Sequence, residues 1–181
     1  MHQPSFPLRS TFLAIPLQDE ALAEFQRLQA LLKPFEDCLT FQNPQTPHLT
    51  LMFWPEAGEL EYQGIAGQAA KIAGKTPAFT LKVTGPDTFG ERGRDSVLFF
   101  SIAFSPELAL LKKSCPWTDR REFHPHITIA RVYHPERFAV VKKEVLKRLA
   151  AEFAVPARRL RLYGNVHGEK QTPLKDFAFN A

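Results

Sequence analysis

Pro47-His48-Leu49-Thr50-Leu51 and Pro125-His126-Ile127-Thr128-Ile129 are two copies of one pattern, proline, histidine, aliphatic, threonine, aliphatic. Polar and apolar residues alternate in each with a period of two, as on a strand with one buried and one open face. His48 and Thr50 therefore share a face, with Leu49 and Leu51 opposite; His126 and Thr128 share one opposite Ile127 and Ile129. Pro47 and Pro125 bias the residues before them, Thr46 and His124, toward extended backbone, which helps feed the chain into each strand. A single copy would carry little weight, because histidine and threonine are both common on half-open strands. Two copies with matched prolines and aliphatics point to a repeated unit that holds two imidazoles and two hydroxyls on rigid strands.

Before the first copy, Thr11 to Pro16 reads as a strand ending at its proline. Asp19 is placed to cap a helix whose Leu22, Phe25, Leu28 and Leu32 form one apolar stripe. Phe41 to Pro47 is turn-like. Beyond the first copy, Tyr62 to Ala73 reads as a helix closed by Gly74, and Phe79, Leu81 and Val83 alternate as a strand broken at Gly85-Pro86. The second round repeats this order. A loop from Gly90 to Asp95 with Arg92 and Arg94 leads into a strand from Val97 to Phe104. Ser105 caps a helix from Pro106 to Lys113. The second copy lies in a strand from Phe123 to Val132, and Pro135 to Phe153 carries a helical stripe of Phe138, Val141, Val145 and Leu149. Arg159 to Tyr163 and Phe177 to Phe179 read as closing strands. Two rounds of strand-helix-strand-helix-strand, each with its histidine strand after a helix, suggest an internal duplication.

The 181 residues suit one domain with two lobes, residues 1–181, of which residues 1–9 read as a loose lead-in. A hydrophobic content of 44% with 23% charged residues is ordinary for a water-soluble fold, and a net charge of +4 permits a polyanionic partner without requiring one. No apolar run approaches the roughly 18 residues of a membrane span, and residues 1–9 lack the apolar core of an export signal. Cys38 and Cys115 have no CxxC spacing, which favours a reducing cytoplasm over a disulfide-built secreted domain. Gly164 to Gly168 lacks P-loop spacing.

Two imidazoles, each backed by a hydroxyl on a rigid strand, suit the movement of protons on both sides of a phosphate. Opening a cyclic phosphodiester requires the attacking water to lose a proton while the departing sugar oxygen gains one, on opposite sides of phosphorus. Histidine, with an ordinary pKa near 6.5, fills either role with small environmental shifts. Thr50 and Thr128 would donate to the nonbridging oxygens. Such a pair implies a bell-shaped pH profile with an optimum near neutrality.

The paired tetrads, the Arg131 that follows the second, and the order of strands and helices resemble the two-histidine phosphoesterase superfamily. Within it they resemble the 2′-5′ RNA ligase group, also called RNA 2′,3′-cyclic phosphodiesterases, over about Thr11 to Phe179. The resemblance implies an α+β, bilobal fold: two pseudo-symmetric antiparallel sheets with flanking helices around a central cleft. It implies opening of 2′,3′-cyclic phosphates to 2′-phosphates with no metal and no cofactor, and 2′-5′ joining at a cyclic end by the same proton transfers. Carried over by motif, His48 is the proton donor to the leaving oxygen and His126 the base. Thr50 and Thr128 hold the phosphate, and Arg131 neutralises it. The partners so implied are RNA with 2′,3′-cyclic phosphate ends or small cyclic nucleotides; nothing requires more than a monomer. Where relatives often carry Lys-Phe-Leu-Gly after the first tetrad, this chain has Met52-Phe53-Trp54-Pro55, making Phe53 and Trp54 candidates for stacking a nucleobase. Arg131 is an odd step from His126 and reaches the same face only if the strand bulges or ends near Ala130.

Two other functions compete. A catalytically idle relative would bind RNA or nucleotide in the same cleft, though it would not need matched titratable groups. A metal-dependent hydrolase would use His48, His124 and His126 together. The run Arg158, Arg159, Arg161 suits either an RNA backbone or an exposed edge strand kept soluble by charge. His2, His134 and His167 fall at loop positions, and Cys115 reads as a small buried side chain.

Overall fold

Both tetrads form strands that lie side by side at the centre of one nine-stranded sheet in the computed structural model, which describes residues 5–119 and 122–180. In chain order the elements are β1 (Leu8–Pro16), α1 (Asp19–Ala30), β2 (Leu39–Phe41), β3 (His48–Ala57), α2 (Glu59–Ala73) and β4 (Phe79–Glu91). They continue with β5 (Arg94–Ile102), α3 (Pro106–Ser114), β6 (His126–Val132), α4 (Pro135–Arg148), β7 (Phe153–Ala157), β8 (Arg159–Val166) and β9 (Glu169–Ala178). The sheet runs β7-β4-β5-β6-β3-β1-β8-β9, with β2 pairing β6, and every ladder in it is antiparallel. Its middle is thin: β3 and β6 pair only at Leu49 and Ile127. Two four-stranded halves, β9-β8-β1-β3 and β6-β5-β4-β7, therefore meet at the two histidine strands, which is the expected bilobal architecture.

The duplication is built by exchange. β1 and β5 open the two rounds, and β3 and β6 carry the tetrads. One later strand of each round crosses to the other half: β4 pairs with β5, and β8 pairs with β1. Neither half can form from one round alone. The core lies between the sheet and the helices, where Phe25, Leu28, Leu32, Leu108, Leu111, Phe138 and Val145 pack against Leu13, Leu49, Ile127 and Ile129.

Local chemistry sets most boundaries as expected. Ser105 accepts from the Leu108 N–H at 3.2 Å and caps α3, with Pro106 in its first turn. α1 instead starts behind Gln18 without a side-chain cap; Asp19 is its first residue, and its carboxylate sits 3.5 Å from Arg158.

Several expectations need correction. Leu8 is buried and Arg9 pairs with Glu56 and Asn165, so the sheet begins inside the stretch expected to be a lead-in; residues 1–4, including His2, lie outside the described residues. β4 does not break at Gly85-Pro86. Gly85, at φ +130°, absorbs a register shift against β5, and the strand runs on to Glu91. α4 ends at Arg148, and Phe153, expected at its end, opens β7 against β4. β8 is interior, and its arginines are engaged: Arg159 and Arg161 both pair with Asp176 of β9. Cys115 is only partly buried, and both cysteines are unpaired. No helix of the described residues is long and apolar enough to cross a membrane.

Candidate active site

The splayed junction between β3 and β6 opens into a cleft of about 600 Å³ whose walls include His48, Thr50, Phe53, His126, Thr128 and Arg131. Antiparallel register about the Leu49–Ile127 pair sets His48 across from Thr128 and Thr50 across from His126. Each imidazole thus faces the hydroxyl of the other copy.

The two histidines are held identically. His48 Nδ1 lies 2.7 Å from the Thr46 carbonyl oxygen, and His126 Nδ1 lies 2.7 Å from that of His124. A carbonyl only accepts, so Nδ1 carries the hydrogen in both rings and Nε2 is left for a substrate. The entering prolines are matched as well: the Pro47 carbonyl accepts from Leu17 N–H at 3.0 Å, and the Pro125 carbonyl from Ile102 N–H at 3.1 Å.

Arg131 reaches the cleft because β6 bulges. Leu98 pairs with Ala130 and Phe99 with Thr128, which leaves Ile129 without a partner on β5. Ile129 and Ala130 are both fully buried, the alternation skips a step, and Arg131 emerges on the face of His126 and Thr128. β3 does the same. Leu13 pairs with Met52 and Ala14 with Thr50, so Leu51 is the extra residue and Phe53 emerges on the face of His48 and Thr50. Phe53 is thus the positional counterpart of Arg131. Trp54 is not a cleft residue: the next step turns it into the core, 9% exposed and edge-on to Trp117 at 5.1 Å.

Beneath each histidine lies a stacked aromatic pair, one ring from the strand that opens the round and one from the strand that crosses over. Phe12 and Tyr163 stack at 4.8 Å under His48, and Phe99 and Phe89 stack at 4.0 Å under His126. The rings meet differently. His48 lies face to face on Phe12 at 4.6 Å, whereas His126 meets Phe89 edge-on at 5.0 Å. Burial pushes the His48 imidazole down to about 4, over the lift from its bond to Thr46, and the nearby His126 lowers it further. Burial also lowers His126, again opposed by its backbone bond, with His124 adding to the depression. Burial pushes the Tyr163 phenol up to about 12, so it stays neutral.

Sequence reasoning missed these four aromatics, together with Gln42, Gln171, Asp119, Glu122 and Phe123 on the cleft wall. His124 lines the cleft but joins no metal-binding arrangement: among the described residues no group of three or more His, Cys, Asp or Glu side chains is placed to hold a metal ion. His134 precedes α4, and His167 sits at the β8–β9 turn, both away from the cleft.

The 2′-5′ RNA ligase superfamily model matches residues 17–168. The chain belongs to that superfamily. It is 29% identical over 156 residues to an RNA 2′,3′-cyclic phosphodiesterase of Geobacillus stearothermophilus, covering 80% of this chain and 49% of the relative. It is 30% identical over 112 residues to the Bacillus subtilis protein of the same name, covering 56% of this chain and 61% of that one. The chain thus spans about half to three-fifths of the length of these superfamily relatives. Among solved structures, TT0787 of Thermus thermophilus superposes with a TM-score of 0.71 at 22% identity, over 94% of this chain and 97% of that one. E. coli LigT, solved with NADP+, superposes with a TM-score of 0.64 at 23% identity, over 96% and 98%. At that identity these two show a shared fold and nothing further.

Proposed function

We propose that this protein opens 2′,3′-cyclic phosphate ends of RNA, or of small cyclic nucleotides, to 2′-phosphates by metal-independent acid–base catalysis between His48 and His126. The observation that carries the reading is the matched pair of imidazoles, each tied through Nδ1 to a backbone carbonyl at 2.7 Å and lining one cleft with Arg131. The relatives named RNA 2′,3′-cyclic phosphodiesterase support it, as does E. coli LigT, solved with phosphate and with 3′-AMP.

In this mechanism His126 Nε2 takes a proton from water as the water oxygen attacks phosphorus. The bond from phosphorus to the 3′-oxygen breaks, and that oxygen takes the proton from His48 Nε2. The product is a 2′-phosphate beside a free 3′-hydroxyl. Thr50 and Thr128 donate to the nonbridging oxygens, and Arg131 offsets the charge that builds on them. Burial works against a protonated His48 in the free protein. The bound phosphate anion supplies the opposite charge that raises its affinity for the proton. Phe53 offers a stacking surface for the base on the His48 side. The same proton transfers serve 2′-5′ joining. The protein acts as a monomer in a reducing cytoplasm, a compartment that the unpaired Cys38 and Cys115 favour.

The test is product analysis on 2′,3′-cyclic nucleotides and short cyclic-ended RNAs, with and without chelator. The reading expects 2′-phosphate products at equal rates in both. A 3′-phosphate product, or a chelated protein inactive until metal is restored, would overturn it; tight binding without turnover would favour the idle binder.

A further inference from the structure

Arg131 and Phe53 face the cleft only because of the two bulges, and a bulge is a cost that something must hold in place. The bulged residue leaves the ladder, and its buried carbonyl then needs another partner. Here each bulge carbonyl accepts from a side chain, and that of Ile129 from a backbone N–H as well. The Leu51 carbonyl accepts from Lys112 Nζ at 2.5 Å. The Ile129 carbonyl accepts from Gln29 Nε2 at 3.0 Å, and from the Gln42 N–H at 2.9 Å.

Gln29 is 7% exposed, and its amide also donates to the Gln42 carbonyl at 2.9 Å, so one side chain pins the end of β2 to the bulge of β6. Lys112 holds its ammonium 4.8 Å from the ring centre of Phe123, which lines the cleft. The pair follows the exchange seen in the strands. Gln29 ends the first helix of round one and anchors the tetrad of round two; Lys112, near the end of the first helix of round two, anchors the tetrad of round one. Neither side chain lines the cleft.

We propose that Gln29 and Lys112 are positioning residues: each fixes the bulge carbonyl that turns Arg131 or Phe53 toward the substrate. Arg131 then depends on a neutral amide reaching from α1, and Phe53 on an ammonium reaching from α3. Displacing the phosphate-facing or base-facing group by about 1 Å is enough for losses on the order of 100-fold in rate.

The inference rests on the proposed reading only for what the cleft binds, so its test begins without substrate. Methionine keeps the length of both side chains and removes the donors. Crystal structures of Gln29→Met and Lys112→Met should show the bulge at Ile129 or Leu51 shifted, and Arg131 or Phe53 withdrawn from the cleft. Unchanged bulges with both side chains still inward would overturn the proposal. Lys112→Arg, which keeps a donor, should restore the wild-type arrangement; Lys112 lies on a partly exposed helix face, so this arm stands even if Gln29→Met does not fold. Calorimetry with inorganic phosphate adds a functional readout. Gln29→Met should weaken binding on the order of 10- to 100-fold, with little further loss when combined with Arg131→Ala. Losses that multiply would mean that Gln29 supports the fold generally and would also overturn the proposal. A wild-type protein that binds phosphate yet opens no cyclic ester would sink the functional reading and leave this cycle intact.

Discussion

The His48 half and the His126 half share a backbone and differ in what fills it. Tetrad, entering proline, Nδ1 clamp, bulge and aromatic bed recur in both, down to the 2.7 Å contacts. Three fillings differ: Phe53 stands where Arg131 stands, His48 lies flat on its aromatic bed where His126 meets its own edge-on, and Lys112 anchors one bulge where Gln29 anchors the other. Symmetry therefore fixes where the two imidazoles sit, and the departures from it would let two like groups take the unlike roles proposed for them. A phosphate with a base on one side is itself asymmetric, and an arginine facing a phenylalanine matches it.

The largest effects should come from removing what the halves share. His48→Ala and His126→Ala should each cut turnover by at least about 100-fold in folded protein. The double variant should lose less than the product of the two, because the residues act as a unit. Steady-state rates on a cyclic nucleotide check this, and near-wild-type turnover in either single variant would break the comparison at its root.

Next come the groups proposed to hold the phosphate. In the proposed mechanism Arg131→Ala, Thr50→Val and Thr128→Val should each remove a hydrogen bond to a charged oxygen, about 1.5–3 kcal/mol, and so about 10- to 100-fold in kcat/KM. If the threonine variants unfold while their residual activity stays whole, the hydroxyls are structural.

Phe53→Ala should have a smaller effect, and one that depends on the base. Stacking is worth about 1–3 kcal/mol, and purines should lose more than pyrimidines. A uniform loss across bases would place Phe53 in packing and dissolve the contrast with Arg131.

The smallest effect is on stability. His48 binds its proton less readily folded, at about 4, than unfolded, near its ordinary 6.5. The unfolded chain takes up protons first as pH falls, so the stability from keeping His48 neutral is intact above about 6.5 and drains away toward about 4. The melting temperature of His48→Gln should fall less steeply than that of the wild type across that window, by on the order of a few °C. An equal slope in both proteins would mean that the His48 environment is wetter than its packing on Phe12 implies.

With both imidazoles lowered, the bell expected near neutrality should centre on the acid side of 6.5 for kcat/KM, its limbs belonging to the pair.

How much of this was legible in the sequence follows from which forces are local. The tetrads announced their faces because alternation is written residue by residue, and Ser105-Pro106 announced a helix start for the same reason. The facing of Arg131 was open: its odd spacing required a bulge, and nothing in Thr128-Ile129-Ala130 dictates one, since the partners of the Ile129 carbonyl are the Gln29 amide and the Gln42 N–H, both far away in the chain. The same skip, unread at Leu51-Met52, keeps Phe53 on the cleft and sends Trp54, expected beside it as a second stacking candidate, into the core. The aromatic beds were invisible because Phe12 meets Tyr163, and Phe99 meets Phe89, only after strands cross between rounds. β7 was hidden because the apolar residues that begin it continue the α4 stripe past Leu149, and only pairing with β4 shows where helix gives way to strand.

The most direct test of the division of roles uses a cyclic substrate whose bridging 3′-oxygen is replaced by sulfur, a leaving group that departs without a proton. The measurement is kcat/KM for His48→Ala and His126→Ala on the oxygen and sulfur substrates, each relative to wild type. If His48 is the acid, sulfur should restore the His48 variant by at least about tenfold and leave the His126 variant as impaired as before. Restoration of the His126 variant instead would reverse the roles of the two halves, and equal impairment of both variants on both substrates would contradict the division of acid and base between them.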